Sequence, residues 1–157
     1  MERDTDMSLA LDRYLIHGLF AETSTQQDED RLNIVVIFTS TAATTAALKK
    51  ASVLADSLSA RITLIVPQVV PYPLPLTSPP VLLDFQENRF RDIAAQSSVD
   101  TRVRLYLCRD ELEMLRQILP SHSLIIMGRP RKWWPSKESK LARKLRSGHE
   151  VVFAETE

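Results

Sequence analysis

Cysteine is nearly absent from this 157-residue chain, where Cys108 stands alone. One cysteine cannot form an internal disulfide, and such usage fits a reducing compartment. Histidine is scarce as well. His17, His122 and His149 are far apart and none has a metal-ligand spacing, so no Cys/His metal site is expected. Net charge is also missing, with 20 Lys plus Arg against 20 Asp plus Glu. That balance gives no reason to expect a general nucleic-acid partner. No uninterrupted apolar run approaches a bilayer-spanning length, and the opening Met-Glu-Arg-Asp-Thr-Asp is acidic where a secretory leader needs a basic start. The expected location is the cytoplasm, with no membrane partner. No Walker loop and no Ser/His/Asp nucleophile motif occurs, so no catalytic residue is assigned and no enzyme is expected.

What is present divides into two parts, an arm over residues 1–31 and a domain over 32–157. In the arm, Leu9, Leu11, Leu15, Leu19 and Phe20 suggest a short amphipathic helix over about 7–20. The polar, acidic stretch from Glu22 to Asp30 reads as a linker. The arm is either a loosely docked extension or a docking helix for a partner or a second subunit.

From residue 32 the pattern is regular. Ile34 to Phe38 is a continuous β-branched and apolar run, suited to a strand buried on both faces. Ser40 and Thr41 are good N-caps for a helix with Ala43, Ala47, Ala51, Leu54 and Leu58 on one stripe. A second strand covers 62–66. The prolines at 67, 71, 73, 75, 79 and 80 predict an extended loop over 67–80, with Pro79 or Pro80 at the first turn of a helix through Leu83, Phe90, Ile93 and Ala94. Val103, Leu105 and Leu107 alternate with Arg102, Arg104 and Tyr106, which marks an edge strand or one with a wet face. Asp110 and Glu113 open a short helix with Leu112, Leu115 and Leu119 inward, ended by Pro120. Leu124 to Met127 is a buried strand closed by Gly128. Ser136 caps a basic helix over about 137–146, which Ser147-Gly148 terminates, and Val151 to Ala154 is the last strand. Five strands alternating with four helices predict an α/β fold with a parallel, doubly wound sheet. The runs starting at Ile34 and Leu124 are the purest and are expected at its centre.

Three segments together resemble the universal stress protein family over about residues 32–155. The first is Asn33 to Ser40 with Ala46 to Ala55 and Ala60 to Val66. The second is Asp110 to Leu115 with His122 to Gly128, whose Leu-Ile-Ile-Met-Gly element is the most specific. The third is Leu141 to Leu145 before Glu150 to Ala154. The resemblance implies sheet order 3-2-1-4-5, the adenine-nucleotide alpha hydrolase-like arrangement. It also implies a ligand crevice between the strands ending at Phe38 and Met127, and a homodimer formed through the last strand, with Val151, Val152 and Phe153 at the interface. The nucleotide-binding branch of that family has an Asp at the end of its first strand, where this chain has Phe38 or Thr39. The branch also carries Gly-x2-Gly-x9-Gly-Ser/Thr after the fourth strand. Gly128 matches the first glycine, Arg131 replaces the second, and no glycine lies between Gly128 and Gly148.

A phosphate cradle needs main-chain amides that can approach the anion closely. Pro130 and Pro135 each remove a donor, and Trp133 and Trp134 add bulk. The chain is therefore expected to bind ATP or AMP weakly or not at all, to need no cofactor, and to act as a non-catalytic regulatory or interaction protein with a possible protein partner. The rival expectation begins from Arg129, Arg131, Lys132, Lys137, Lys140, Arg143, Lys144 and Arg146, opposed only by Glu138. Arg129 and Arg131 could meet a nucleotide or other small anion by side chain, helped by Thr39, Ser40, Thr41 and Gly128 at the crevice. The bland alternative is a solvated basic helix face balanced by the acidic arm. Cys108 reads as a small buried group and His122 as a surface or cap residue.

Overall fold

A computed structural model describes residues 32–73, 83–131 and 136–156; for 83–87 it describes the backbone alone. The expected helix at 7–20, the linker, the prolines at 75, 79 and 80, and Lys132 to Pro135 lie outside the described residues.

Five strands, β1 (Asn33–Ile37), β2 (Arg61–Val69), β3 (Thr101–Cys108), β4 (Leu124–Arg129) and β5 (Glu150–Glu155), alternate with four helices, α1 (Thr41–Leu58), α2 (Leu83–Ala94), α3 (Glu111–Ile118) and α4 (Lys137–Leu145). All pairings are parallel and the order is β3-β2-β1-β4-β5. The five-stranded, order 3-2-1-4-5, α/β expectation holds, with β1 and β4 interior as their unbroken apolar runs require. One face carries Ile34, Val36, Ile62, Leu64 and Ile126 against Ala47, Leu48, Ala51 and Ala55 of α1 and Phe90 and Ile93 of α2. The opposite face carries Val35, Ile37, Ile125 and Met127 against Leu115 of α3, Leu119 just beyond it, and Ala142 and Leu145 of α4.

The helix starts follow the cap chemistry. Ser40 accepts from the Ala43 amide at 3.3 Å, Asp110 Oδ1 from Glu113 at 2.8 Å, and Ser136 from Ser139 at 3.2 Å. Thr41, the other cap candidate, is the first residue of α1. Leu58, expected on the inward stripe of α1, is instead 50% exposed at the last residue of the helix.

Three expectations need correction. Residues 67–69 are strand, since β2 runs on to Val69 and pairs Pro67 with Tyr106. The reason lies in which way Pro67 faces. The Phe38 amide donates to the Ile65 carbonyl at 2.9 Å, so Ile65 faces β1. Alternation turns Pro67 the same way, beyond the end of β1, where its missing N–H has no ladder partner to disappoint. Gly128 does not close β4 either; it lies inside the strand, opposite Ala154. Gly148 has no positive φ. α4 ends through an ordinary turn in which the Gly148 amide donates to Leu145 at 3.2 Å.

The left-handed helix cap falls instead on Ser59, at φ 52 and ψ 36, after α1. A side chain there sits too close to its own backbone. Ser59→Gly is expected to stabilise the protein by about 0.5–1 kcal/mol, the relief of strain less the added freedom of the unfolded chain. Urea midpoints at constant slope measure it.

Candidate functional site

The C-terminal ends of β1 and β4 form the point where the strand order reverses, the usual ligand crevice of an open α/β sheet. Here β1 is the short strand. Its pairing stops at Ile37 opposite Ile65 and Met127, while β2 continues to Val69 and β4 to Arg129. The result is a central notch with the N-terminus of α1 at its floor.

Protein groups close on one another around that floor. Gly128 abuts the backbone of α1: a Cβ added there would fall inside the Ala43 carbonyl and 2.8 Å from Ala43 Cα. Gly128 is thus a packing glycine, and its φ needs no glycine. Thr39 Oγ1 donates to the Gly128 carbonyl at 3.1 Å, and the Thr39 amide donates to Oγ1 of the buried Thr44 at 3.2 Å. Phe38 meets the buried ring of Phe90 edge-on, with centroids 4.8 Å apart and planes at 76°. An apolar aromatic pair therefore stands where a carboxylate is expected in a nucleotide-binding relative. The exposed Thr41 accepts from Arg89 at 3.1 Å.

Of the residues singled out in the sequence, Thr39, Ser40, Thr41 and Gly128 converge at the notch. Arg129 leans away from them. Its guanidinium pairs with Glu155 at 3.0 Å and stacks over the Phe153 ring at 4.0 Å. Arg131 is exposed and makes no hydrogen bond or ion pair among the described residues. Val151 is buried, and Val152 and Phe153 are half-buried on the edge strand. That edge is guarded. The Glu150 amide donates to Ser123 and the Thr156 amide to Arg129, both at 3.1 Å, so even-numbered residues of β5 face β4. Odd-numbered residues face outward, and two of their carbonyls are taken: Lys50 donates to Phe153 at 2.9 Å and Arg146 to Val151 at 3.2 Å. Lys50 and Glu155 escaped the sequence reading, and Arg146 entered it only as one of a basic cluster, because only the fold brings a helix middle, a helix end and a last strand together. Between α1 and β5 lies an open groove of about 810 Å³, lined by Ala46, Lys50, Val53, Arg129 and Phe153 among others.

Cys108 is buried at the end of β3. Burial, followed by the charges of Glu111 and Asp110, pushes its thiol up to about 11, so it stays protonated at neutral pH and is a poor nucleophile. Burial likewise raises the carboxyl of Glu111, against the pull of Lys137, with Asp110 and Glu138 adding to the rise. His122 is exposed at φ 58, a surface turn residue, while His149 accepts from the Ser123 amide at 3.2 Å. Among the described residues no cluster of three His, Cys, Asp or Glu could hold a metal ion, and no helix is long and apolar enough to cross a membrane.

No protein-family model and no curated protein sequence matches the chain. Solved structures do. A universal stress protein from Archaeoglobus fulgidus superposes with a TM-score of 0.52 at 14% identity, covering 87% of this chain and 98% of the other. A member of the family from Burkholderia pseudomallei gives 0.51 at 23% identity, over 77% and 93%. This chain has the universal stress protein fold. A universal stress protein in complex with cAMP gives 0.50 at 12% identity, over 81% and 98%. Within that fold, the site turns on the contact between Gly128 and Ala43. Gly128→Ala is expected to cost about 2 kcal/mol or more, because two backbones must separate to admit the methyl group. The measurement is the shift of the urea midpoint.

Proposed function

We propose that this chain is a divergent universal stress protein acting without catalysis, as a homodimeric regulatory or interaction module that binds ATP or AMP weakly or not at all. One observation carries the reading: the notch at the end of β1 is occupied by contacts among the protein's own groups, with Thr39 hydrogen-bonded to Gly128 and Gly128 against the Ala43 backbone. Wrapping a triphosphate requires main-chain amides free to turn toward it. Here the amides of Thr39 and Ala43 are engaged by Thr44 and Ser40. Calorimetric titration of the purified chain with ATP, AMP and cAMP is expected to give no saturable binding tighter than about 1 mM. Micromolar ATP binding would overturn the reading.

A second reading has support in the exposed cations beyond β4. Arg131, Lys137 and Lys140 project into solvent, and one protein of the same fold is seen in complex with cAMP. The chain would then be a sensor of a nucleotide or another small anion, held by side chains instead of amides. Since Arg129 is engaged by Glu155, Arg131 is the residue to alter. Saturable binding that vanishes in Arg131→Ala would favour the sensor over the silent module.

The dimer in this proposal joins through β5, whose outward backbone groups belong to Val151, Phe153 and Glu155. Pairing would exchange the Lys50 and Arg146 hydrogen bonds for a backbone ladder. Phe153→Pro deletes an outward amide without touching the β4 ladder, and monomers are expected in sedimentation velocity where the unaltered chain gives dimers. An unchanged dimer would reject this interface.

A further inference from the structure

Register places three arginines on one quadrant of the sheet. Asn33 pairs with Arg61, Thr63 with Arg102 and Ile65 with Arg104, and paired residues of a parallel sheet point to the same face. Arg61, Arg102 and Arg104 therefore share the face that carries α3 and α4. Those helices cover only part of it. From β2 and β3 the core on that side takes in Ile65, Tyr106 and Cys108, all toward the C-terminal ends. The N-terminal halves present Asn33, Arg61, Thr63, Arg102 and Arg104 instead, with Thr63 donating to Asn33 at 2.8 Å. Even so, Arg61 is only 7% exposed and Thr63 only 6%. Burial, and then the neighbouring charge of Arg104, holds the Arg102 guanidinium below its ordinary value.

The chain itself supplies a fitting cover. The Arg61 amide donates to the Leu32 carbonyl at 2.8 Å, so the polypeptide enters β1 beside this quadrant. Just upstream stands the run Asp28-Glu29-Asp30, within about 14 Å of chain from Leu32. Residues 1–31 carry eight carboxylates against three arginines, although the whole chain is neutral. They also hold Leu9, Leu11, Leu15, Leu19 and Phe20, apolar groups for which a partly buried face is a suitable seat.

We propose that the acidic N-terminal arm docks on the arginine quadrant of β2 and β3 of its own chain, with Asp28, Glu29 and Asp30 meeting Arg61, Arg102 and Arg104 and the apolar residues of 9–20 lying over the adjoining sheet. The arm is then an electrostatic latch on the face of the sheet away from α1 and α2, separate from the notch. Several partly buried ion pairs acting together can hold such a segment where one exposed pair would not. Added salt weakens the exposed members first.

Brief chymotrypsin treatment of the full chain, followed by mass spectrometry, reports the docking through the cleavage rate after Tyr14 and Phe20. Slow cleavage is expected in the unaltered protein, and about tenfold faster cleavage in the triple variant Asp28→Lys, Glu29→Lys, Asp30→Lys and in 1 M salt. The double variant Arg102→Glu, Arg104→Glu should be equally exposed, and combining both sets should restore protection. If the β3 variant fails to fold, the arm variant and the salt dependence decide alone. Equal rates in unaltered and arm-variant proteins would overturn the proposal. So would protection that disappears on dilution, which would place the arm on a second copy.

Discussion

The approach of α1 to the middle of the sheet is the constraint on which the rest of this molecule depends. An α-helix following a central strand must cross back over its neighbour, and here its first turn comes down on β4 so closely that only a glycine fits beneath it. The contact seats the alanine stripe of α1 against β1 and β4. It also sets the height of the helix N-terminus and brings Thr39 within reach of the Gly128 carbonyl. Packing and site are thus one event: the residue with which the sequence invites comparison to a phosphate cradle is occupied by the helix itself.

Two kinds of polar residue manage what the core leaves over. On the β5 edge, Lys50 and Arg146 reach from helices on opposite faces to satisfy outward carbonyls. Arg129 and Arg146 lie over the Phe153 ring, at 4.0 and 5.4 Å. A short edge strand under cations is a common protection against unwanted pairing, and it makes association there a competition between side-chain and backbone donors. On the other side of the sheet, arginines stand where apolar residues would be expected under a helix. Among the described residues the basic side chains are thus spread over the β5 edge, the far face of β2 and β3, and the segment beyond β4.

Much of this was legible in the sequence. The unbroken runs at Ile34 and Leu124 identified the interior strands, and Ser40, Asp110 and Ser136 marked helix starts, because burial on both faces and unpaired first-turn amides leave few residue choices. The readings that failed were those in which a residue's meaning depends on its neighbour across the sheet. Pro67 looked like the start of a loop because nothing in the sequence says that β1 ends two residues short of it. Gly128 looked like a terminator because the backbone of Ala43 is 85 positions away in sequence. The edge-guarding role of Lys50 and Arg146 gave no signal; a lysine in a helix and an arginine in a basic cluster after one are ordinary surface residues until a strand is laid beside them. Phe38 was noticed for the carboxylate it replaces, whereas its edge-on contact with Phe90 needed the fold.

Pro67 has one more effect. Facing the open side of β2 without an N–H, it offers any longer version of β1 a carbonyl but no donor, and a ladder cannot be propagated on carbonyls alone. The step in the upper rim of the sheet is therefore written into covalent structure. Additional residues at the end of β1 would have to leave the sheet plane, as Thr39 and Ser40 already do, and the helix start could not migrate upward to fill the gap.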